Sequence, residues 1–314
     1  MTDRANLIGL LCWFDEPVEN LASCIVGLHR AGVYHVVAVD GAYALYPDAK
    51  PASHPNQHAA IHLTCRKLGM RCTIHTPSGL WAGNEVEKRT FHFNLAYALS
   101  EPGDWFFIMD ADQTVVQVPG DLRERLAATD LDAAETRFLD VMALRANDPS
   151  WPPRFEMRNL FRAQPMRCST NHCTYVTGDD RLLWGWERVG GNGGERPLEP
   201  CLDVTDLLVE HHPDQRPVER QRAKLAYYAA RDEQRVERGN CGLCGAPSVQ
   251  MLPTGWRWSD LGPVADWTEA CEACGRQIAA VNRVELERMG VDPMTIKVEN
   301  RNGHAPAGAP ARIA

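Results

Sequence analysis

The chain has 314 residues, 44% of them hydrophobic and 24% charged, a globular composition long enough for one large domain and a small one. Its formal charge of −8 and isoelectric point near 5.8 exclude a surface coated in positive potential. The acidic excess is uneven: residues 1–210 hold 19 basic and 28 acidic side chains, whereas residues 211–314 hold 14 and 13.

Leu7–Trp13 is a continuous apolar run, as a strand buried on both faces requires. Pro17 stands where a helix can begin, and Leu21, Cys24, Ile25 and Leu28 recur at helical spacing up to Gly32. Tyr34–Val39 reads as a second strand closed by Asp40-Gly41. His58–Leu68 reads as a helix and Arg71–His75 as a third strand. Asn84 with Glu87 makes a capping box for a helix to about Ser100, and Trp105–Met109 is a fourth strand ending in Asp110-Ala111-Asp112. This alternation predicts an α/β fold with a mostly parallel sheet and helices on both faces.

From about 115 to 210 the pattern is mixed. Ala134–Phe138 and Tyr175–Thr177 read as strands, and Gly178-Asp179-Asp180 has turn composition before Arg181–Trp184. A Gly-Gly-Asn-Gly-Gly run at 190–194 precedes a charged helix from about Pro217 to Arg238. Residues 302–314, rich in Gly, Ala and Pro, read as a disordered tail. Four segments follow: a domain over 1–212, a basic helical connector over 213–238, a cysteine module with a C-terminal helix over 239–301, and the tail. No stretch has the roughly 20 apolar residues that span a bilayer, and Leu7–Phe14, closed by Asp15-Glu16, is too short for a signal-peptide core. Eleven cysteines in such a chain predict a reducing, cytoplasmic setting with free thiols or metal sites.

In a parallel sheet the loops at the C-terminal strand ends form the ligand crevice. Three of the four strands end in acids: Asp15-Glu16, Asp40, and Asp110 with Asp112. Two aspartates at i and i+2 past a strand can reach one hard cation, and such a cation can bridge a nucleotide diphosphate. Taken alone, Asp-Ala-Asp is equally a solvated turn.

In order along the chain stand Ile8-Gly9-Leu10-Leu11 with Asp15-Glu16, Val37-Ala38-Val39-Asp40-Gly41, Glu87-Lys88-Arg89 with Asn94, and Gly103-Asp104-Trp105 through Asp110-Ala111-Asp112. Asn159-Leu160-Phe161-Arg162, Asn171-His172 and Val209-Glu210-His211-His212 continue the series. This succession, covering about two thirds of the chain, resembles the family 2 glycosyltransferases of GT-A fold, in particular actinobacterial phage and bacterial members. The resemblance implies that Asp15 or Glu16 and Asp40 hold the base and ribose of a nucleotide-sugar donor, UDP-linked by expectation. It implies that Asp112, with Asp110, binds Mn2+ or Mg2+ on the diphosphate, that His211 or His212 adds a metal ligand or phosphate contact, and that Lys88 or Arg89 approaches the donor. Read without the resemblance, Asp40 is a turn residue, Lys88 and Arg89 are a solvated helix face, and the histidines are buried hydrogen-bonded groups. Relatives place a glutamate after the histidine, whereas here Cys173 follows His172. The catalytic base is therefore open among His172, Asp179, Asp180 and Glu187, and Asp179-Asp180 is equally a plain turn. Trp184 and Trp186 either stack on sugar or acceptor or finish the core.

Cys241-Gly-Leu-Cys244 and Cys271-Glu-Ala-Cys274, each pair followed by glycine, are spaced for a structural Zn2+ in a ribbon-like module. Iron–sulfur ligation is the minor alternative. The 26 residues between the pairs predict a hairpin or loop carrying Trp256 and Trp258. The basic segment before it, Arg220 and Lys224 included, is either a solvated helix face or an acceptor-binding surface for nucleic acid. The leading expectation is a metal-dependent glycosyltransferase whose acceptor is a hydroxymethylated base in phage DNA, placing it in the host cytoplasm. A glycan or virion protein is the next acceptor. Sugar nucleotidyl transfer is a second class, disfavoured because Trp13-Phe14-Asp15-Glu16-Pro17 stands where a Gly- and basic-rich phosphate loop belongs; a non-enzymatic nucleic-acid-binding protein is a third.

Overall fold

A computed structural model describes residues 4–81, 85–141, 144, 154–168, 174–185, 188–189, 194–195, 198–224 and 226–227, and the backbone of 250–259, 262–270 and 297–298. The chain divides into two compact units, Met1–Tyr227 and Tyr228–Ala314. Residues 213–227 thus group with the first unit.

In the first unit, β1 (Leu7–Cys12), β2 (Val33–Val39), β3 (Arg71–His75) and β4 (Trp105–Asp110) alternate with α1 (Val18–Arg30), α2 (Pro55–Lys67) and α3 (Glu85–Ala98). Helix α2 begins three residues earlier than the apolar spacing indicates, because Pro55 fits the first turn and the His54 ring accepts from the Asn56 backbone N–H. The second half adds β5 (Gln113–Gln117), α4 (Leu122–Ala128), β6 (Ala133–Asp140), β7 (Arg154–Arg162), β8 (Met166–Cys168), β9 (Tyr175–Thr177), β10 (Leu182–Trp184), β11 (Arg188–Val189), β12 (Gly194–Glu195) and β13 (Leu202–His211). Residues 218–224 are helical.

The main sheet has the order β3-β2-β1-β4-β7-β6-β13-β5. Pairing is parallel from β3 to β4, as the strand–helix alternation predicts. Beyond β4 the sheet is mixed: β7 enters antiparallel between β4 and β6, and β5 runs antiparallel to β13. Side chains of β1 and β4 alternate between two cores, as period-two pleating demands. Leu7, Leu11, Trp105, Phe107 and Met109 pack on the α1 side, while Ile8, Leu10, Phe106 and Ile108 pack with Phe93, Phe161 and Tyr175.

The sheet must curl. Strands β4 and β5 stand four places apart, about 19 Å in a flat sheet. Yet Asp110 and Gln113 are three residues apart, a reach of at most about 11 Å. Curling brings the far edge back over the end of β4, so the last residue of β13, His211, pairs with Gln113 on one side and Asp140 on the other.

In the second unit β14 (Gln250–Ser259) and β15 (Gly262–Ala270) form an antiparallel hairpin, and β15 pairs with β16 (Lys297–Val298). The hairpin expected between the cysteine pairs, carrying Trp256 and Trp258, is present. Cys241, Cys244, Cys271 and Cys274 themselves lie outside the described residues, as do residues 228–249 and the 302–314 tail.

Candidate active site

The C-terminal ends of β1, β2 and β4 turn into loops whose acids have distinct surroundings. Asp40 is fully buried, and its carboxylate accepts four hydrogen bonds, from the Gly41 and Ser53 backbone N–H groups, the Ser53 hydroxyl and His58 Nε2, at 2.6–2.8 Å. It braces the loop after β2, where Gly41 at φ +102° lies so close to the Pro51 carbonyl that an added Cβ would sit 2.6 Å from it. Asp15, at φ 51°, is exposed and accepts from Gln57 Nε2 at 3.2 Å.

Lys88 is neither a solvated residue nor a free cation. It is 1% exposed, and its Nζ donates to the carbonyls of Trp13 at 2.6 Å and Gly41 at 2.8 Å. It therefore ties the loop after β1 to the loop after β2, and burial holds its pKa below the ordinary lysine value. Beside it, His92 Nε2–H donates to the Val37 carbonyl, leaving Nδ1 to accept from the Cys12 thiol at 3.1 Å. Burial depresses this histidine to about 3 and raises the Cys12 thiol, so the pair is neutral.

The remaining acids converge with cations. Asp110 Oδ1 accepts from Arg89 Nη2 at 2.7 Å. Burial pushes this carboxyl up, but the Arg89 charge and hydrogen bond, with Lys224 and Arg216 nearby, outweigh it and hold it well below the carboxylate range. Asp112 is 3% exposed, and its Oδ2 meets Arg216 Nη1 at 2.8 Å and His211 Nε2 at 3.1 Å. The other His211 nitrogen lies 3.2 Å from Asp140. Arg216 continues to Glu16, with Nε at 3.0 Å from both carboxylate oxygens and Nη2 at 2.9 Å. Arg220 Nη2 lies 3.5 Å from Glu16, and its guanidinium covers the rings of Tyr46 and Phe14 at 4.5 and 5.5 Å. Three buried donors, Arg89 Nε and Arg220 Nε and Nη1, have no acceptor among the described residues.

His212 turns away from Asp112, its Nε2 lying 3.1 Å from Glu210, although its backbone N–H donates to the Asp112 carbonyl. The Asp179-Asp180 turn sits elsewhere. Arg181 joins Asp179 to Asp132, which is level with Arg162 and the first residue of β4, Trp105. Asp110 ends that strand, five residues or roughly 17 Å away. Trp184 is half-buried against the core that contains Phe93. His172, Trp186 and Glu187 lie outside the described residues.

Arg216 and Asp140 join the site without having been singled out by the sequence. Asp140 obeys the same strand-end rule as the other acids, at the end of β6. Arg216 carries no local signal beyond its place in a basic run.

The expected divalent cation can be compared with these side chains. Asp112 and His211 do meet, but Arg216 already occupies the shared Asp112 oxygen. Among the described residues no three His, Cys, Asp or Glu side chains are arranged to hold one ion. As placed, the donors do not fit a metal on Asp112. No helix among the described residues is long and apolar enough to cross a membrane.

No protein-family model matches the chain, and no curated protein matches it. Among the solved structures similar to it are two. One, from Bacillus anthracis and solved with sucrose, is described as a glucose-1-phosphate thymidylyltransferase; it matches with a TM-score of 0.30 and 10% identity over 42% of this chain and 55% of that one. The match thus spans little more than half of that protein's length. The other is a mycobacterial protein, with a TM-score of 0.37 and 13% identity over 86% of this chain and 85% of that one. At these scores neither likeness bears on the chemistry.

Proposed function

We propose that the protein is a GT-A-type glycosyltransferase that moves a sugar from a nucleotide-diphosphate donor to an acceptor hydroxyl. One observation carries this reading: Glu16, Asp110, Asp112 and His211 gather at the C-terminal ends of the parallel strands with Arg89, Arg216, Arg220 and Lys224 beside them. That is where an α/β sheet takes its ligand, and the mixture of carboxylates with guanidinium groups suits a ligand carrying both hydroxyls and phosphates. Carboxylates orient ribose and sugar hydroxyls. Guanidinium groups bind phosphate oxygens in pairs and stabilise the charge on a departing diphosphate.

Exposed Asp15 at the crevice edge contacts the nucleoside, while Asp40 and Lys88 hold the loops that shape its pocket. His211, gripped by two aspartates, fixes the orientation of Asp112. The acceptor in this reading is a hydroxymethylated base in DNA, flipped from the duplex to be reached, with a glycan or protein hydroxyl as the competing acceptor. Cys241, Cys244, Cys271 and Cys274 hold a structural Zn2+ around the β14–β15 hairpin.

The test is transfer of radiolabelled sugar from a panel of nucleotide sugars, with Mn2+ included, to hydroxymethylated DNA, unmodified DNA and cell-wall glycans. Label on an acceptor, falling by about a hundredfold or more in Asp110→Asn, supports the reading. Pyrophosphate release from a nucleoside triphosphate and a sugar phosphate, with no transfer, replaces it with nucleotidyl transfer.

A further inference from the structure

The donor set at Asp112 and the charge placed on it disagree with a divalent cation at that position. Asp112 Oδ2 has two partners, Arg216 Nη1 and His211 Nε2, and the second His211 nitrogen is taken by Asp140. Arg216 fills the space between Asp112 and Glu16, with its side chain 10% exposed and theirs 1% and 2% exposed. Counting formal charges, the carboxylates of Glu16, Asp110, Asp112 and Asp140 are met by the guanidinium groups of Arg89, Arg216 and Arg220 and the ammonium of Lys224. An all-acid crevice would repel a diphosphate until a cation entered. Here those four carboxylates already face four cations.

We propose that Arg216 stands in for the divalent cation, so that the donor's diphosphate is bound and its departing charge balanced by Arg216, Arg220, Arg89 and Lys224 without metal. This rests on the nucleotide-sugar reading and goes beyond it, because it removes a cofactor that the resemblance implies. Arginine is suited to the exchange: its planar guanidinium stays charged, pairs with two carboxylates at once and keeps a further N–H on Nη1 and on Nη2 for phosphate.

The experiment is calorimetric titration of the full chain with UDP, GDP, CDP, ADP and dTDP, in excess EDTA and in excess MnCl2, with free Mn2+ followed by electron paramagnetic resonance. The expected result is one preferred nucleotide whose Kd agrees within about threefold between the two conditions, with no stoichiometric Mn2+ uptake. Arg216→Met, checked for folding by its circular dichroism melt, should weaken that nucleotide about tenfold or more in EDTA. It should also take up Mn2+ through the released Glu16 and Asp112 and regain the nucleotide in MnCl2, a rescue that a purely structural Arg216 would not predict. Nucleotide binding by the unaltered protein only when Mn2+ is present overturns the inference and leaves the donor reading standing. Failure to bind any of the five in either condition overturns both.

Discussion

His211 is the residue whose charge state the fold sets most sharply. Burial pulls its pKa down, but the hydrogen bonds and charges of Asp112 and Asp140 together outweigh this and leave it above the ordinary value. A group with a raised folded pKa contributes stability that is fully present below its unfolded value of about 6.5 and is lost as pH rises through the folded one. Asp112 has the opposite sense: burial pushes it up, yet the His211 hydrogen bond and Arg216 bring it below the usual value, so its contribution fades in acid. The gap in Tm between the unaltered protein and His211→Gln should therefore be wide at about pH 5.5 and narrow at about pH 8.5. A gap independent of pH would show that the ring stays neutral. Lys88 gives a second prediction at this scale. Lys88→Met keeps the stem but strips the Trp13 and Gly41 carbonyls of their shared donor, and urea unfolding should report a loss of about 2–4 kcal/mol. A loss below about 0.5 kcal/mol, the level of a surface substitution, would contradict its role as a tie.

Helix α1 packs closely on β5 at Gly27. A Cβ added at Gly27 would stand 2.6 Å from the Val115 backbone nitrogen, so Gly27→Ala must push the helix off the strand. Denaturant titration should show a loss of about 1–3 kcal/mol despite alanine's better helix propensity. The elements of the parallel half were legible because burial on both faces makes β1, β2 and β4 continuous apolar runs, and α1 carries one clear apolar stripe. In the second half β6, β9 and β10 were legible, with the turn at Gly178-Asp179-Asp180, but β7 was not. Strand β7 carries Arg154, Glu156, Arg158 and Arg162 among its apolar residues, and buried Arg158 donates through Nη1 to the carbonyls of Leu183 and Glu199. A polar side chain paired with carbonyls from a distant segment leaves no periodic trace. The acids of the site were legible from strand-end position, whereas their partner Arg216 was not, because its place depends on the curl of the sheet. The Asp179-Asp180 turn shows the converse: local composition identified the turn but said nothing of which end of the sheet it occupies.

At the scale of the whole molecule, the first unit carries every described residue of the crevice, from Asp15 to Lys224. A chain ending at Tyr227 keeps the stacking of Tyr227 on Tyr43, with ring centroids 5.2 Å apart. It should unfold cooperatively with a Tm within about 4 °C of the full protein and retain nucleotide binding. Loss of cooperativity would show that the cysteine-bearing unit is required for the first to fold. That unit should carry one Zn2+ per chain by native mass spectrometry, absent in Cys241→Ser with Cys244→Ser.

The Glu16–Arg216 ion pair joins groups 200 residues apart. Closing so long a loop costs about 2 kcal/mol more than closing one a tenth as long. It also cannot begin before synthesis has passed residue 216. Until then Glu16 lacks its arginine and Asp112 has only His211, so the charges of the crevice come into balance only once the chain has reached Arg216. The crevice's competence for an anionic ligand therefore arrives late in the life of the growing chain, set by the order of translation.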